Sequence, residues 1–549
     1  VPDLVVLALA LLLPVAYLPG LGSSFWAPKF ALLLVAIPPG LLLLGRAAVR
    51  RDGAALAAVG FLVACAVSSG LADDPVASVV GLHDADGGLL FVAGCVGAWA
   101  LARELSPRGR RWLVPALLVG IGITSAVAWL QMTVGLSADG LAPWHGDRAA
   151  ALQGNPVFLG ALASAALCLA VTWPGLRTRW WARAALVVLY AGALQLSGSR
   201  VGLAAVLAAL GWAAWKLGWR HALVLVLAVG LGIGAASALA RTDQSATGRS
   251  ADTSADLTTR LEIWDVGLHA FAAEPVFGAG PARFRTAVSP HWTLALARAH
   301  GPDVLLLDGH NLAVEYLVTT GIVGSLLGAA WLALAARRAR GPLVWFAGAL
   351  LLSWLVQPQG VDTTPLLLIA LGVAATAPAR AGARLDLSPR WRTLLAVALI
   401  PGLLAGGWLV VGERQLYLGE HGSQAALDRA AAMIGVYPLV RATQTERDIV
   451  VGLAGRKSAM PRAIADARAV TAQEPTRPDW WNRLGEVEGQ WGSLTRAQRA
   501  FERALALNPW SVRALQGLMT VASIRGDEGA VARYRARLCR LSAATCPAP

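Results

Sequence analysis

The chain predicts an all-α, polytopic membrane protein with about 12–13 transmembrane helices, a long outward loop and a C-terminal helical-repeat domain. Three observations carry this. Only 15% of the 549 residues are charged and 56% are hydrophobic, whereas soluble domains carry roughly 25% charge. Apolar runs approach the roughly 20 residues that a bilayer crossing needs. The arginines are distributed asymmetrically between alternate connections, as orientation in a membrane requires.

Taken in order, the runs are 4–18, 29–45, 54–71, 87–101, 112–134, 156–173, 181–196, 201–215, 221–239, 311–335, 342–356, 365–377 and 391–411. The first has no basic stretch before it and no convincing cleavage site after it, so it reads as a retained span. With a cytoplasmic N-terminus, the even-numbered connections hold Arg46, Arg50, Arg51; Arg103, Arg108, Arg110, Arg111; Arg177, Arg179, Arg183; Lys216, Arg220; Arg337, Arg338, Arg340; and Arg380, Arg384, Arg390, Arg392. The short outward loops hold only Lys29, Arg148 and Arg200. That bias sets the orientation and accounts for much of the net charge of +14 without a nucleic-acid partner.

Two stretches leave the membrane pattern: an outward loop at 240–309, and a tail at 413–549 that follows a membrane domain at 1–412. Thirteen spans put both outside the cytoplasm, whereas losing one weak span would move only the tail. The tail repeats with a 34-residue period, "AIADARAVTAQEP" at 463–475 aligning with "AQRAFERALALNP" at 497–509. "WWNRLGEVEGQWGSLTRAQRAFERALALNP" and, more weakly, "RALQGLMTVASIRGDEGAVARYRARL" resemble tetratricopeptide repeats, helix pairs that stack because none buries its apolar face alone. The tail reads as a brace for the membrane domain or a holder of a protein partner. Cys65, Cys95 and Cys168 lie in spans as small apolar residues. Cys539 and Cys546 flank a short loop that could bridge in an oxidising compartment. No metal-ligand spacing occurs, and no cofactor is expected.

Transporters place ionisable residues near the bilayer midplane. Here polar residues gather at the outward ends instead: His83, Trp144, His145, Arg148, "QGNP" at 153–156, "SGSR" at 197–200, and Arg260, Arg283, Arg285 and Arg298 in the long loop. That favours chemistry at the outer surface over passage through the bilayer. Arg200 stands against the charge bias, as a lipid-phosphate anchor or as part of an anion site, for which its planar fork is suited. In "DGHNLAVEYLVTTGIVG" (308–324), Asp308 is expected to cap a helix with Gly309, His310 and Asn311 in its first turn. His310 is either part of an ordinary helix start or an uncharged imidazole able to accept a proton. Asn311 and Glu315, one turn apart, could orient it or a substrate.

Together, "SGSRVGLAAVLAAL", "TTRLEIWDVGLHAFAAEPVFGAG" and "DGHNLAVEYLVTTGIVG", with the Asn-Pro segment "LQGNPVFLGALAS" before them, resemble the O-antigen ligase and O-antigen polymerase superfamily, which includes bacterial O-linked protein oligosaccharyltransferases. The resemblance spans roughly 150–380 and rests on a Ser-Arg at a span start, Arg-x3-Trp, Pro-x2-Gly-x-Gly, and His-Asn followed by Gly-x2-Gly. It implies a metal-independent, inverting glycan transferase in the bacterial inner membrane, with its active site and tail facing the periplasm. The implied donor is a glycan on undecaprenyl diphosphate. The acceptor is lipid A–core, another glycan or a protein hydroxyl. Arg200 and Arg260 match the family's diphosphate-engaging arginines, and His310 its catalytic histidine. Arg283 and Arg285 are weaker diphosphate candidates that could equally be solvated loop residues, and Asn155, Asn311 and Glu315 are supporting residues. A polymerase or protein oligosaccharyltransferase of the same superfamily remains an alternative. A lipid-linked glycan transporter or a non-catalytic scaffold lies outside it.

Overall fold

The computed structural model describes residues 1–83, 86–137, 141, 148–176, 178–239, 253–357, 359–375, 388–542 and 544–546. Trp144, His145 and the start of the long loop lie outside them. The described chain is helical throughout, with no strand among the described residues. It is a multi-pass membrane protein. Gly53–Leu71, Pro107–Thr133, Trp219–Leu239, Leu312–Ala336 and the continuous pair Pro389–Glu420 are long and apolar enough to cross a bilayer. Trp26–Leu34 and Ile37–Val49, bent by 42°, make a sixth when taken as one broken span. The other expected runs are also helices, but shorter, such as Pro2–Leu12, Leu343–Ser353 and Thr364–Ala375. Proline and capping residues set those ends: the run at 4–18 stops as a helix at Leu12, ahead of Pro14.

The chain divides into two compact units. They do not coincide with a boundary at 412. The first comprises Val1–Val63, Asp84–Ala251 and Leu326–Arg414. At its centre is Pro156–Thr172, buried at every position from Leu159 onward. Glycine, alanine and serine line this helix, so Trp180–Ser197, Val201–Leu217 and Leu343–Ser353 approach it closely. A methyl group on Gly160 would fall 2.3 Å from Ser199 Cβ, and one on Gly202 2.4 Å from Ser164 Cβ. The unit also buries a charge. Lys29, in Trp26–Leu34, pairs with Asp362 and donates to the Leu152 carbonyl at 2.7 Å and to Gln153 Oε1 at 3.2 Å. Gln153 Nε2 in turn donates to Pro14 O at 2.6 Å and Thr124 Oγ1 at 3.0 Å. Sequence reading placed Lys29 in an outward loop. Its partners, from distant parts of the chain, allow it to be buried instead.

The second unit joins Ala64–His83, Asp252–Ser325 and Gln415–Pro549. Its loop core packs Ile263 and Val266 of the helix Thr253–Ala273 with Phe284, Val288, Trp292, Leu296 and Val318, and includes Leu541 from the tail. Asn508 donates to the Pro302 carbonyl at 2.8 Å and Ser511 to Asp303 Oδ1 at 2.7 Å, so loop and tail form one body. Burial pushes the Asp303 carboxyl up, against the hydrogen bonds it accepts from Ser511 and the Arg513 backbone N–H. The tail is a series of helices in which successive members pack on one another, from Ala459–Gln473 to Glu528–Leu541. Phe501 fills the space between Gly485 and Gly517, where a methyl group would meet its ring at 2.6 and 2.4 Å. Cys539 and Cys546 are disulfide-bonded.

One feature of this unit gives the glycine motifs a physical meaning. Leu312–Ala336 is broken at Gly321, with φ 63° and ψ −168°. A break in an apolar helix strands backbone groups that must be paired nearby. "PVFGAG" pairs them: Ala279 N–H donates to Val318 O, Gly280 N–H to Thr319 O, and Ile322 N–H to Pro275 O, each at 2.9 Å. Ser68 Oγ also donates to Thr319 O, at 2.8 Å. Chain and helix touch backbone to backbone. A methyl group on Gly278 would sit 2.6 Å from Gly321 N, and one on Gly321 2.3 Å from Val276 O. Pro-x2-Gly-x-Gly and Gly-x2-Gly are therefore the two sides of one contact.

Candidate active site

His310 lies between the long loop and Leu312–Ala336. The helix cap is not Asp308 as expected. Helical backbone begins at Leu312, and Asn311 Oδ1 accepts from Ala313 N–H at 2.9 Å and Val314 N–H at 3.3 Å. Asn311 Oδ1 is thus committed to the backbone. Asp308 turns the chain instead: its Oδ1 accepts His310 N–H at 2.7 Å and lies 3.3 Å from the ring Nδ1. A proton on Nδ1 facing that carboxylate leaves the Nε2 lone pair available. His310 itself has φ 47°, the left-handed region that non-glycine residues rarely occupy. Its side chain is 36% exposed.

The turn is held from two helices. Glu315 Oε2 accepts Gly309 N–H at 2.8 Å, and Trp264 Nε1 donates to Gly309 O at 3.1 Å. Arg260 precedes Trp264 by one turn, about 6 Å along the same helix. It is half-buried and, among the described residues, has no ion-pair partner. The structure thus brings Arg260 and His310 to one region of the second unit. His300 belongs to the same region, and its imidazole is held below the ordinary range by burial first and by His310 second. Asp308 was read as a cap, Trp264 only as a motif position, and His300 was not singled out.

Arg283 and Arg285 are occupied elsewhere. Arg283 donates to Glu474 Oε1 at 3.0 Å and Thr476 Oγ1 at 2.6 Å, and lies 3.7 Å from Asp74 Oδ2. Arg285 donates to the same Glu474 oxygen at 2.7 Å. Trp480 Nε1 donates to Glu474 Oε2 at 2.8 Å, and Arg477 approaches that oxygen at 3.4 Å. Arg283, Arg285 and Glu474 are 1%, 6% and 0% exposed. Neither arginine is a solvated loop residue, and neither presents an open fork to a phosphate. The tail carboxylate has taken that position.

In the first unit, Gly198 ends Trp180–Ser197 in left-handed geometry, φ 67°, and half-buried Arg200 heads Val201–Leu217. Arg148 Nε donates to Ser197 O beside that turn, at 2.8 Å. Asn155 caps Pro156–Thr172 through Val157 N–H, at 2.9 Å. Among the described residues, no three His, Cys, Asp or Glu side chains cluster as metal ligands.

A sequence profile described as O-antigen ligase matches residues 185–329. That segment belongs to the O-antigen ligase family. No curated protein matches the chain. The O-antigen ligase segment contains Arg200, Arg260, Arg283, Arg285, His310, Asn311 and Glu315, and stops short of the tail and Asn155. It also contains both sides of the Gly278–Gly321 contact. Ligases and polymerases of this family are glycosyltransferase-type enzymes, and the chain is an enzyme of that broad kind.

Proposed function

We propose that the protein transfers a glycan from an undecaprenyl-diphosphate carrier to a hydroxyl acceptor at the periplasmic face of the bacterial inner membrane, in the manner of an O-antigen ligase. The observation that supports this most directly is the Asp308–His310 pair one clamped turn from the Arg260 helix, inside the family segment. In the reaction the acceptor oxygen forms a bond to the anomeric carbon from the face opposite the diphosphate. The bond from that carbon to the diphosphate oxygen breaks, inverting the centre. The acceptor proton passes to His310 Nε2, while Asp308 holds the ring through Nδ1. Base assistance of this kind contributes on the order of 10²–10⁴-fold. The electron pair leaves with the lipid diphosphate, whose growing charge Arg260 stabilises. Arg200 stands as a second diphosphate ligand on the sequence resemblance.

The test is purified protein with a polyprenyl-diphosphate oligosaccharide as donor and three separate acceptors: lipid A–core, an oligosaccharide and a Ser/Thr peptide. Transfer by wild type and its loss in H310A support the reading. Retained transfer in H310A overturns it. A single product of defined size supports a ligase, and a ladder a polymerase.

A further inference from the structure

We infer that Trp264 is a positioning residue for His310: its indole N–H, acting with the Glu315 carboxylate, fixes the Gly309 peptide groups and so aims the imidazole. This rests on the reading of His310 as the base.

Gly309 precedes His310, and glycine is the most permissive backbone residue. An unrestrained glycine there would let the following ring swing. Three consecutive polar backbone groups are instead held by side chains. Gly309 N–H is taken by Glu315 Oε2 at 2.8 Å, Gly309 O by Trp264 Nε1 at 3.1 Å, and His310 N–H by Asp308 Oδ1 at 2.7 Å. From below, Phe284, fully buried, closes on Gly309, where a methyl group would meet its ring at 3.0 Å. Left-handed geometry at a residue such as His310 is strained and persists only where the surroundings over-determine it. These contacts are such surroundings.

The clamp also sets a distance. Trp264 and Arg260 are one turn apart on Thr253–Ala273, so the indole bond ties the helix that carries the proposed diphosphate cation to the turn that carries the proposed base. Leaving-group stabilisation and proton removal must act on the same sugar at once. A bond that fixes the spacing of their two carriers acts on turnover rather than on donor affinity.

The test uses the full chain in lipid nanodiscs, with a polyprenyl-diphosphate oligosaccharide as probe and release of polyprenyl diphosphate in the presence of acceptor as readout. W264F keeps the ring and removes the donor, and its kcat should fall about 10- to 100-fold with donor KM within about twofold. E315Q keeps an acceptor for Gly309 N–H and should stay near wild type, whereas E315L should fall like W264F. Amide hydrogen exchange over residues 305–312 should quicken in W264F without any substrate present. If H310A is inactive while W264F keeps wild-type kcat and exchange, the clamp is refuted and the base reading stands. If H310A is active, both are refuted. A W264F that gives less folded protein, but full kcat per folded molecule, shows a purely structural tryptophan and overturns the inference. Should W264F not insert, equal kcat in E315L and E315Q overturns it as well.

Discussion

Arg285 of the long loop donates to Glu474 of the repeat tail at 2.7 Å, with both side chains withdrawn from solvent. Burial alone would push the Glu474 carboxyl up, but Arg285, Arg477 and Arg283 together outweigh it and hold the group at about 2. Arg477 fares worse: burial, and then Arg285, push its guanidinium down to about 10. Both groups of the Arg477–Glu474 pair are shifted down, which favours the charged carboxylate but disfavours the charged guanidinium. We assign the stabilisation to Arg285 and Arg283, whose contacts of 2.7 and 3.0 Å are shorter than the 3.4 Å of Arg477. Removing one partner from a buried ion cluster costs roughly 3–5 kcal/mol. E474A should lower the unfolding midpoint of the purified protein accordingly, and a variant as stable as wild type refutes the assignment.

The same carboxylate predicts a pH dependence. Its folded value lies below the ordinary 4.5. Its contribution is therefore present above that pH and is lost as pH falls toward about 2. E474Q mimics the protonated state, so the stability gap between wild type and E474Q should be widest near neutrality, on the order of 3 kcal/mol. It should close on acidification through this window, and denaturant titrations across it measure the gap. A gap that widens in acid contradicts the sign.

Gly321 and Gly278 combine positive φ, 63° and 68°, with backbone contacts a methyl group would violate. G321A and G278A should each lower thermal stability in detergent by several kcal/mol, well beyond the roughly 1 kcal/mol that glycine replacement changes in an ordinary helix. Alanine at Gly348, inside Leu343–Ser353 with no atom within 4 Å of the added methyl, is the control and should change stability by no more than about that 1 kcal/mol.

Lys29 and Asp362 test a different rule. Breaking a buried pair is costly, whereas replacing both partners with apolar groups is far less so. K29M and D362L should each destabilise by roughly 3–5 kcal/mol, and the double variant should recover most of the loss. Additive losses would mean the pair is not energetically coupled. The recovery will be incomplete because Leu152 O and Gln153 Oε1 would lose their donor.

Arg260 is predicted to act through its planar fork. R260A should reduce transfer by about 10²-fold or more, and R260K should restore only part of it, because an ammonium cannot engage two phosphate oxygens in the same plane. Full activity in R260K would reduce its role to a point charge. Transfer that disappears with chelator and returns with a divalent cation would contradict the metal-independent reading of the family resemblance.

The all-α, multi-pass character of the fold was legible because its signal is local: long apolar runs in a chain with few charged residues. The motif residues were legible as a set, but not the reason for their form. Gly278 and Gly321 are separated by more than forty positions, and only the folded chain shows that one backbone lies against the other. Glu474 was the least legible. It closes a helical repeat, and nothing nearby in sequence says that two loop arginines will enclose it. For the same reason Arg283 and Arg285 looked available. The Asp308 cap was misplaced by three residues because Asp and Asn are both good caps, and only backbone geometry decides between them.

Exchanging tails between related enzymes is an obvious route to altered partners. Glu474 restricts it. A graft that brings in a foreign repeat array without an acidic residue at that point would leave two sequestered guanidinium groups with only Asp74, 3.7 Å from Arg283, as counter-charge, so chimaeras should be screened for this one position before any question of specificity is asked of them.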